Sequence, residues 1–504
     1  MINFTPTDTS PDDQEALVDV EGRMEQIEAN EFKKKSVSGA IFYTLRSLLL
    51  YGISMITAVI LAGYLSAEEF GVYGIVTQIV ALLQFFSDIG LGYTLIQQKE
   101  KPDLNEYKTV FTVQQILAFI IFLAVVLLAA STTMQVKVGT AGIWVLLALG
   151  ISFPLSSLKV IPAIILERDL NFSKLVIPNI FEQVIYNAIL IYMVITGKGV
   201  VAYAYAVIAR GIVGVIAMYI IQPWKLGLAL DFKVIKKTLG TALQFQATDF
   251  LARIKDQLFY LLLGWWLPLN QFGFITWSKS WSQMPYMLTV QNVVSITFPA
   301  FSRLQHDKQR LAKAIEKSMF FITLFIFPML VGMSIFIIPL VQIVERYQKW
   351  QPAIITFIFF TLSIAWSAIS TPLTNTLAAI GKINITLKLM MMWTSLTWII
   401  TPVLLWRFGF NAVAFSAFLI SFTSILPVYY VKKYIKFNAW DNIWRQLLAA
   451  FFMGGVGVLG LSYWSMGIKH MLIGMLIVGF SYLAVIGLIG RKKLIFEFNS
   501  LKNK

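Results

Sequence analysis

Stretches of about 20 apolar residues recur along this chain from Ser38 to Gly490, and only short polar segments separate them. At a rise of about 1.5 Å per residue, a helix of that length crosses the ~30 Å hydrocarbon core of a bilayer. Because lipid offers no hydrogen-bond partners to the backbone, each stretch is predicted to be a helix. Hydrophobic residues make up 58% of the 504 residues and charged residues only 13%, which leaves little for a soluble domain. The chain is therefore predicted to be an all-α polytopic membrane protein.

About fourteen transmembrane helices are predicted. Their ranges are 38–64, 70–97, 107–131, 142–166, 175–196, 199–222, 241–266, 271–300, 315–342, 352–380, 383–406, 409–431, 444–465 and 468–490. Alternate loops carry most of the lysines and arginines, including Lys33 to Lys35 before the first span and Arg491 to Lys493 after the last. By the positive-inside rule, both termini are expected to be cytoplasmic.

Similar segments recur in the same order in two halves of the chain, which indicates that the spans are duplicated. Gly39 and Gly63 have the spacing of Gly240 and Gly264, Phe70-Gly71-Val72 resembles Phe272-Gly273-Phe274, and Gly199 to Ala204 resembles Gly409 to Ala414. Six spans per repeat give two lobes of the same orientation and leave two extra C-terminal helices. The predicted division is an acidic cytoplasmic tail at 1–37, a first lobe at 38–222, an amphipathic linker at 223–240, a second lobe at 241–431, a linker at 432–443, helices 13 and 14 at 444–490 and a basic tail at 491–504.

Several classes of function are excluded by composition and motif. The net charge of +15 suggests a nucleic-acid partner, but the basic residues lie at the ends of apolar runs, where they set topology. The chain has no cysteine, and only His306 and His470 offer an imidazole. Walker loops, dinucleotide fingerprints and nucleophile elbows are absent from the sequence. We expect no nucleic acid, metal, cofactor or catalytic residue, and any coupling energy would come from a proton, sodium or substrate gradient.

Charged residues inside the predicted spans are the candidates for function, because a charge at that depth costs about 2.5 to 3.5 kcal/mol on insertion scales. Most are basic, so we expect a cationic cavity between the lobes that suits a phosphate-bearing substrate. The substrate-binding candidates are Arg46, Arg210, Arg253, Lys255 and Lys279, and the ion-coupling candidates are Asp88, Glu182, Asp249 and Asp256.

Local pairing is the competing interpretation for some of these charges. Asp249, Arg253 and Asp256 stand at i, i+4 and i+7, where they can neutralise one another. Asp88 and Glu182 can cap, pair or carry a proton. Lys159 is expected to extend to the cytoplasmic surface. Lys255 has no acidic residue four positions away, so its charge is the one that local pairing explains least.

Three segments carry a resemblance to a known family. Phe70 to Glu100, with Ser87-Asp88-Ile89-Gly90-Leu91-Gly92 at its centre, is similar to the second span of bacterial polysaccharide transporters, and so are Leu166 to Phe172 and Phe298 to Gln305. The chain resembles the Wzx-like oligosaccharide flippases of the multidrug/oligosaccharidyl-lipid/polysaccharide (MOP) exporter superfamily, and among them the colanic-acid and teichuronic-acid exporter branch. The resemblance covers about Ser38 to Lys436.

The resemblance implies a V-shaped fold of two six-helix lobes in the cytoplasmic membrane of a bacterium. It also implies that the protein moves an undecaprenyl-diphosphate-linked oligosaccharide between leaflets by alternating access, alongside a polysaccharide polymerase. A MATE-like cation or drug antiporter is one alternative, although such a site is expected to be acidic. A membrane-embedded glycan polymerase or ligase is another, and it would need larger outward loops than those predicted here.

Overall fold

The computed structural model of the protein describes residues 49–87, 91–98, 100–169, 171–236 and 257–502. Every predicted span has helix at its place in this order, and the first and seventh spans are covered only from 49 and 257 onward. Eight helices in the described ranges are long and apolar enough to cross a membrane, and two shorter apolar helices accompany them. The chain is a multi-pass membrane protein, and the count of fourteen spans stays a prediction.

The first lobe is built from α1 to α8. These helices are α1 (Leu49–Tyr64), α2 (Ala67–Ser87), α3 (Leu91–Gln97), α4 (Leu104–Ala130), α5 (Thr132–Leu158), α6 (Val160–Arg168), α7 (Phe172–Ile195) and α8 (Ala202–Ile221). Polar caps mark where the chain leaves one helix and enters the next. Asp103 and Glu106 form a capping box that starts α4, and the hydroxyl of Ser131 accepts a hydrogen bond from the Met134 backbone to start α5.

The second lobe repeats this plan, and two further spans follow it. Its helices are α9 (Phe259–Trp266), α10 (Leu269–Tyr286), α11 (Asn292–Arg303), α12 (Lys308–Ile343), α13 (Ile354–Ala379), α14 (Ile383–Phe408), α15 (Ala412–Ser421) and α16 (Ile425–Tyr434), followed by α17 (Trp444–Leu459), α18 (Leu461–Trp464) and α19 (Ile468–Lys502). Helices α17 and α19 pack on each other and on α12. The predicted duplication is visible in local structure: Gly199 and Gly409 both have positive φ and both begin a 3₁₀ turn that leads into a helix.

The linker between the lobes differs from the helix that its amphipathic sequence suggests. It is extended from 223 to 231, and helix is present only at 232–236 within its described part. Gly227 packs so closely on α4 that a Cβ atom there would lie 2.5 Å from Cε of Lys108. The backbone N–H of Ala229 also donates to the hydroxyl of Thr112. The linker therefore bonds to α4 through the N–H of Ala229, a group that a helix would have used internally.

The lobes meet where α2 crosses α10, and glycine allows the two backbones to touch. A Cβ atom at Gly71 would lie 2.0 Å from the carbonyl oxygen of Leu269, and one at Gly273 would lie 1.6 Å from that of Ala67. The contact is reciprocal, as expected for equivalent helices of a duplicated fold. We call this crossing, with the contacts around it, the junction.

Side chains of each lobe also cap the end of a helix in the other lobe at the junction. Trp350 Nε1 donates to the Ala62 carbonyl at 2.8 Å, and Lys349 Nζ donates to the Gly63 carbonyl at 2.9 Å, both at the end of α1. In the opposite direction, Lys137 Nζ lies 2.9 Å from the carbonyls of Trp265 and Leu267 at the end of α9. The last carbonyls of a helix lack partners inside it, so these contacts satisfy groups that would otherwise be exposed or unpaired.

Candidate functional site

An ionic cluster lies inside the first lobe, where three charged side chains from different helices meet. Lys159 follows the last residue of α5, Glu182 lies within α7 and Arg210 lies within α8. Lys159 Nζ is 2.5 Å from Oε1 of Glu182, and Arg210 Nε is 3.4 Å from its Oε2. Two cations therefore share one carboxylate, and the cluster keeps one net positive charge.

Gly214 on α8 provides the space that the shared carboxylate occupies. A Cβ atom at Gly214 would lie 2.2 Å from Oε1 of Glu182, closer than nonbonded atoms approach. The Glu182 side chain is 7% exposed, whereas that of Arg210 is 47% exposed. A buried ion that loses its partner carries a penalty of several kcal/mol, so the pairing is what makes Glu182 tolerable at this depth. Arg210 is the most exposed member of the cluster.

The cluster shows how two of the charged residues are paired, and the ion-coupling role of Glu182 stays a prediction. Pairing, one of the roles considered for Glu182, is the one observed. Lys159 was expected to extend to the cytoplasmic surface, but it binds Glu182 instead and its side chain is 17% exposed. Arg210 has no acidic neighbour three or four residues away in sequence, and its partner comes from α7. Only tertiary packing brings these groups together, so sequence spacing does not reveal the cluster.

Residues of the second lobe line an open cavity of about 410 Å³. Residues of α9, α10, α13, α14 and α15 line it, and they include eleven serines and threonines together with Tyr260, Gln283 and Trp393. Lys279 of α10 lines the same cavity and places its Nζ atom 3.4 Å from the centre of the Tyr260 ring, a cation–π contact. The cavity is thus polar and mostly uncharged along the part of the chain that is described.

A row of hydroxyls along α13 forms one wall of this cavity. Ser363, Ser367, Thr371 and Thr374 are each half-buried, and their spacing of four, four and three residues places them on one face of the helix. Thr397 of α14 is half-buried in the same cavity. The row was not among the sequence-based candidates, which were chosen for charge alone. Its signal was nevertheless in the sequence, as a polar stripe of helical period inside an apolar span.

The remaining sequence-based candidates belong to segments outside the described residues. These are Arg46, Asp88, Asp249, Arg253, Lys255 and Asp256. Of the nine candidates, Arg210 and Glu182 therefore lie together in the first lobe, and Lys279 lies in the cavity of the second lobe. Three or more His, Asp or Glu side chains grouped as metal ligands do not occur among the residues that the structure covers.

Comparison with known proteins places the chain among polysaccharide biosynthesis proteins. The sequence profile described as "Polysaccharide biosynthesis protein" matches residues 60–355. The chain is 20% identical over 283 residues to the succinoglycan biosynthesis transport protein ExoT of Rhizobium meliloti, covering 56% of this chain and 57% of that protein. It is 21% identical over 377 residues to the lipopolysaccharide biosynthesis protein WzxC of Escherichia coli, covering 71% of this chain and 72% of that protein.

Solved structures of similar fold come from two kinds of transporter. The lipid II flippase MurJ, in an inward closed conformation, matches 90% of this chain and 100% of its own with a TM-score of 0.72 and 16% identity. An inward-facing MATE family multidrug transporter of the MOP superfamily matches 76% of this chain and 95% of its own with a TM-score of 0.57 and 13% identity. The predicted MOP-type fold of two lobes and added C-terminal helices is confirmed.

Proposed function

Because the chain belongs to the polysaccharide biosynthesis protein family, we propose that it is a flippase for lipid-linked oligosaccharides. It moves undecaprenyl-diphosphate-linked repeat units from the inner to the outer leaflet of the bacterial cytoplasmic membrane by alternating access. ExoT, named as a biosynthesis transport protein, and WzxC, named as a lipopolysaccharide biosynthesis protein, support this assignment. The product would pass to a polysaccharide polymerase on the outer side.

The observation that carries the proposal is the polar cavity inside a membrane-spanning lobe. Polar groups in a bilayer are costly unless they are paired or face water or a ligand. This cavity has about 410 Å³ of space, an ammonium group at Lys279 and a wall of hydroxyls, although its helices are otherwise apolar. Such a lining suits a hydrophilic substrate that has to be kept apart from lipid while it crosses.

We assign the cations to the substrate and leave the carboxylates as candidates for ion coupling. Arg46, Arg210, Arg253, Lys255 and Lys279 are proposed to hold the diphosphate and the sugars next to it. Asp88, Glu182, Asp249 and Asp256 are the candidates for coupling to a proton or sodium ion. Coupling through Glu182 would have to break its contacts with Lys159 and Arg210, because each of its carboxylate oxygens is engaged by one of these cations.

The proposed orientation puts both termini in the cytoplasm. The junction is then at the outer face, since the ends of α1 and α9 that it joins face the sparsely charged loops. When the lobes are joined at the outer face, substrate can enter only from the inner leaflet, which is the state expected at the start of a transport cycle.

Export in cells tests the proposal. Deletion of the gene is expected to stop surface-glycan export and to accumulate lipid-linked repeat units inside the cell. Lys279→Gln and Lys255→Gln, at normal expression, are expected to export less, whereas Lys469→Gln, at an exposed lysine, is expected to export normally. Full export by the deletion strain would overturn the function. Full export by the two variants would overturn only the assignment of those lysines.

A further inference from the structure

The hydroxyl groups that form the wall of the second-lobe cavity already donate their protons to backbone carbonyls. The hydroxyls of Ser367, Thr371 and Thr374 donate to the backbone carbonyls of Ser363, Ser367 and Thr371 at 3.1, 2.8 and 2.9 Å. Ser363 donates to the Ala417 carbonyl at 3.1 Å. A hydroxyl that has donated its one proton keeps lone pairs that can only accept.

The neighbouring polar groups reinforce this direction. Tyr286 Oη and Thr371 Oγ1 are 2.9 Å apart, and because the Thr371 proton is used by Ser367, Tyr286 has to be the donor. Thr397 across the cavity donates to the Trp393 carbonyl at 2.8 Å. The half-buried hydroxyls on both sides of the cavity therefore present acceptors, and a matching ligand needs many donors.

We propose that this wall is a subsite for the neutral sugars of the substrate, and that cationic side chains hold the diphosphate. The proposal rests on the function proposed above and assigns one part of the substrate to the hydroxyls of α13. A sugar ring carries several O–H donors and apolar C–H faces, which fit the acceptor wall and the rings of Tyr260 and Trp393. Ser363 and Thr374 are 11 positions apart on α13, so the wall extends for about 16 Å and is not limited to a single ring.

Other ligands fit the same wall less well. The oxygens of a phosphate group are acceptors and would face the lone pairs of the wall without a proton between them. A sodium ion would accept those lone pairs but would share the cavity with the ammonium group of Lys279, which repels it. A polyol meets neither obstacle.

Ser367→Ala combined with Thr374→Val tests the proposal. Both hydroxyls donate to carbonyls of their own helix, so their removal deletes two acceptors without cutting a contact between helices. Thr376→Val is the matched control, because Thr376 lies on the same helix and donates to the Pro372 carbonyl in the same way, but is buried away from the cavity.

Two probes separate the sugars from the diphosphate in binding measurements on the full chain in nanodiscs. One is the lipid-linked oligosaccharide extracted from a strain that lacks the gene, and the other is undecaprenyl diphosphate without sugars. The double variant is expected to bind the first probe about tenfold more weakly, from two lost hydrogen bonds, and to bind the second with unchanged affinity. Thr376→Val is expected to bind both like the wild type.

The other outcomes overturn the proposal in distinguishable ways. Equal affinity of the double variant and the wild type for the glycan probe would remove the sugar subsite and leave the flippase function standing. An equal loss for both probes would mean that the wall serves the diphosphate or the lobe as a whole. If the double variant bound both probes like the wild type but needed a different sodium concentration for export in cells, the wall would be an ion site and not a sugar subsite. Binding of neither probe by the wild type would remove the proposed function together with the subsite.

Discussion

Replacing Gly71 with alanine is expected to weaken the junction and to increase the separation of the lobes there. The added Cβ atom would start 2.0 Å from the Leu269 carbonyl oxygen, whereas ordinary van der Waals contact begins at 3.4 Å. Both groups are on helix backbones, so no flexible side chain can yield and α2 and α10 have to move apart. Overpacking of this kind costs about 1 to 3 kcal/mol. A cost that falls only on the closed junction shifts the equilibrium towards the open form by roughly 5- to 150-fold.

Distances between spin labels on the two lobes measure this change directly. The chain has no cysteine, so cysteines introduced at the exposed positions Ser66 and Asn270 are labelled selectively. Gly71→Ala is expected to add a longer-distance population to that of the parent. Gly63→Ala is the control at the same end of the bundle, because its Cβ atom would meet nothing nearer than 3.6 Å. A distance distribution of Gly71→Ala that matches the Gly63→Ala control would refute the argument that glycine contact keeps the junction closed.

Three further predictions concern hydrogen bonds and ion pairs. Trp350→Phe removes the donor to the Ala62 carbonyl and is expected to destabilise the closed junction by about 1 kcal/mol. The longer-distance population should therefore grow, but less than in Gly71→Ala, and no change would mean that this hydrogen bond does not hold the junction. Glu182→Gln is expected to destabilise the purified protein by up to about 3 kcal/mol, measured as a lower Tm, because it leaves Lys159 without its partner. Adding Lys159→Met should restore part of the Tm. An unchanged Tm in Glu182→Gln would contradict the shared-carboxylate interpretation. The hydrogen bond from Lys493 holds the pKa of Asp441 below its ordinary 3.8, so the stabilisation is complete above about pH 3.8 and is lost as the pH falls through the folded value. A spin label at Lys492 should therefore become mobile in acid, and in Asp441→Asn it should be mobile at neutral pH as well.

Much of the fold could be predicted from the sequence because a lipid bilayer restricts the backbone conformations that a chain can adopt. Backbone groups in a bilayer have to be paired locally, so an apolar run of about 20 residues is almost enough to specify a helix. The duplication was also predictable: Gly199 and Gly409 share a turn, and Gly71 and Gly273 share a crossing. These positions retain glycine because positive φ and direct backbone contact both exclude a side chain.

The site was harder to predict because its contacts join residues far apart in sequence. Glu182 is 23 residues from Lys159 and 28 from Arg210, and no helical spacing relates them. The extended form of the linker at 223–231 was hard to predict for a similar reason, since the backbone N–H of Ala229 donates to Thr112 of α4 and not within a turn of its own. The hydroxyl row on α13 was missed because a serine or threonine inside a span usually bonds to its own helix, and whether it also faces a cavity depends on the neighbouring helices.

The two lobes share a junction but differ in their interiors, and the constraints on the two regions explain the difference. At the junction, a side chain on either Gly71 or Gly273 would separate both helices, so neither copy can change alone. The interiors of the lobes differ: the first has ions around Glu182, and the second has neutral hydroxyls along α13 together with Lys279. A substrate with an anionic diphosphate and neutral sugars also has two chemically different parts. A carrier of such a substrate needs cationic groups for the diphosphate and neutral hydrogen-bonding groups for the sugars, and in the proposed function the hydroxyl wall of the second lobe supplies the neutral groups.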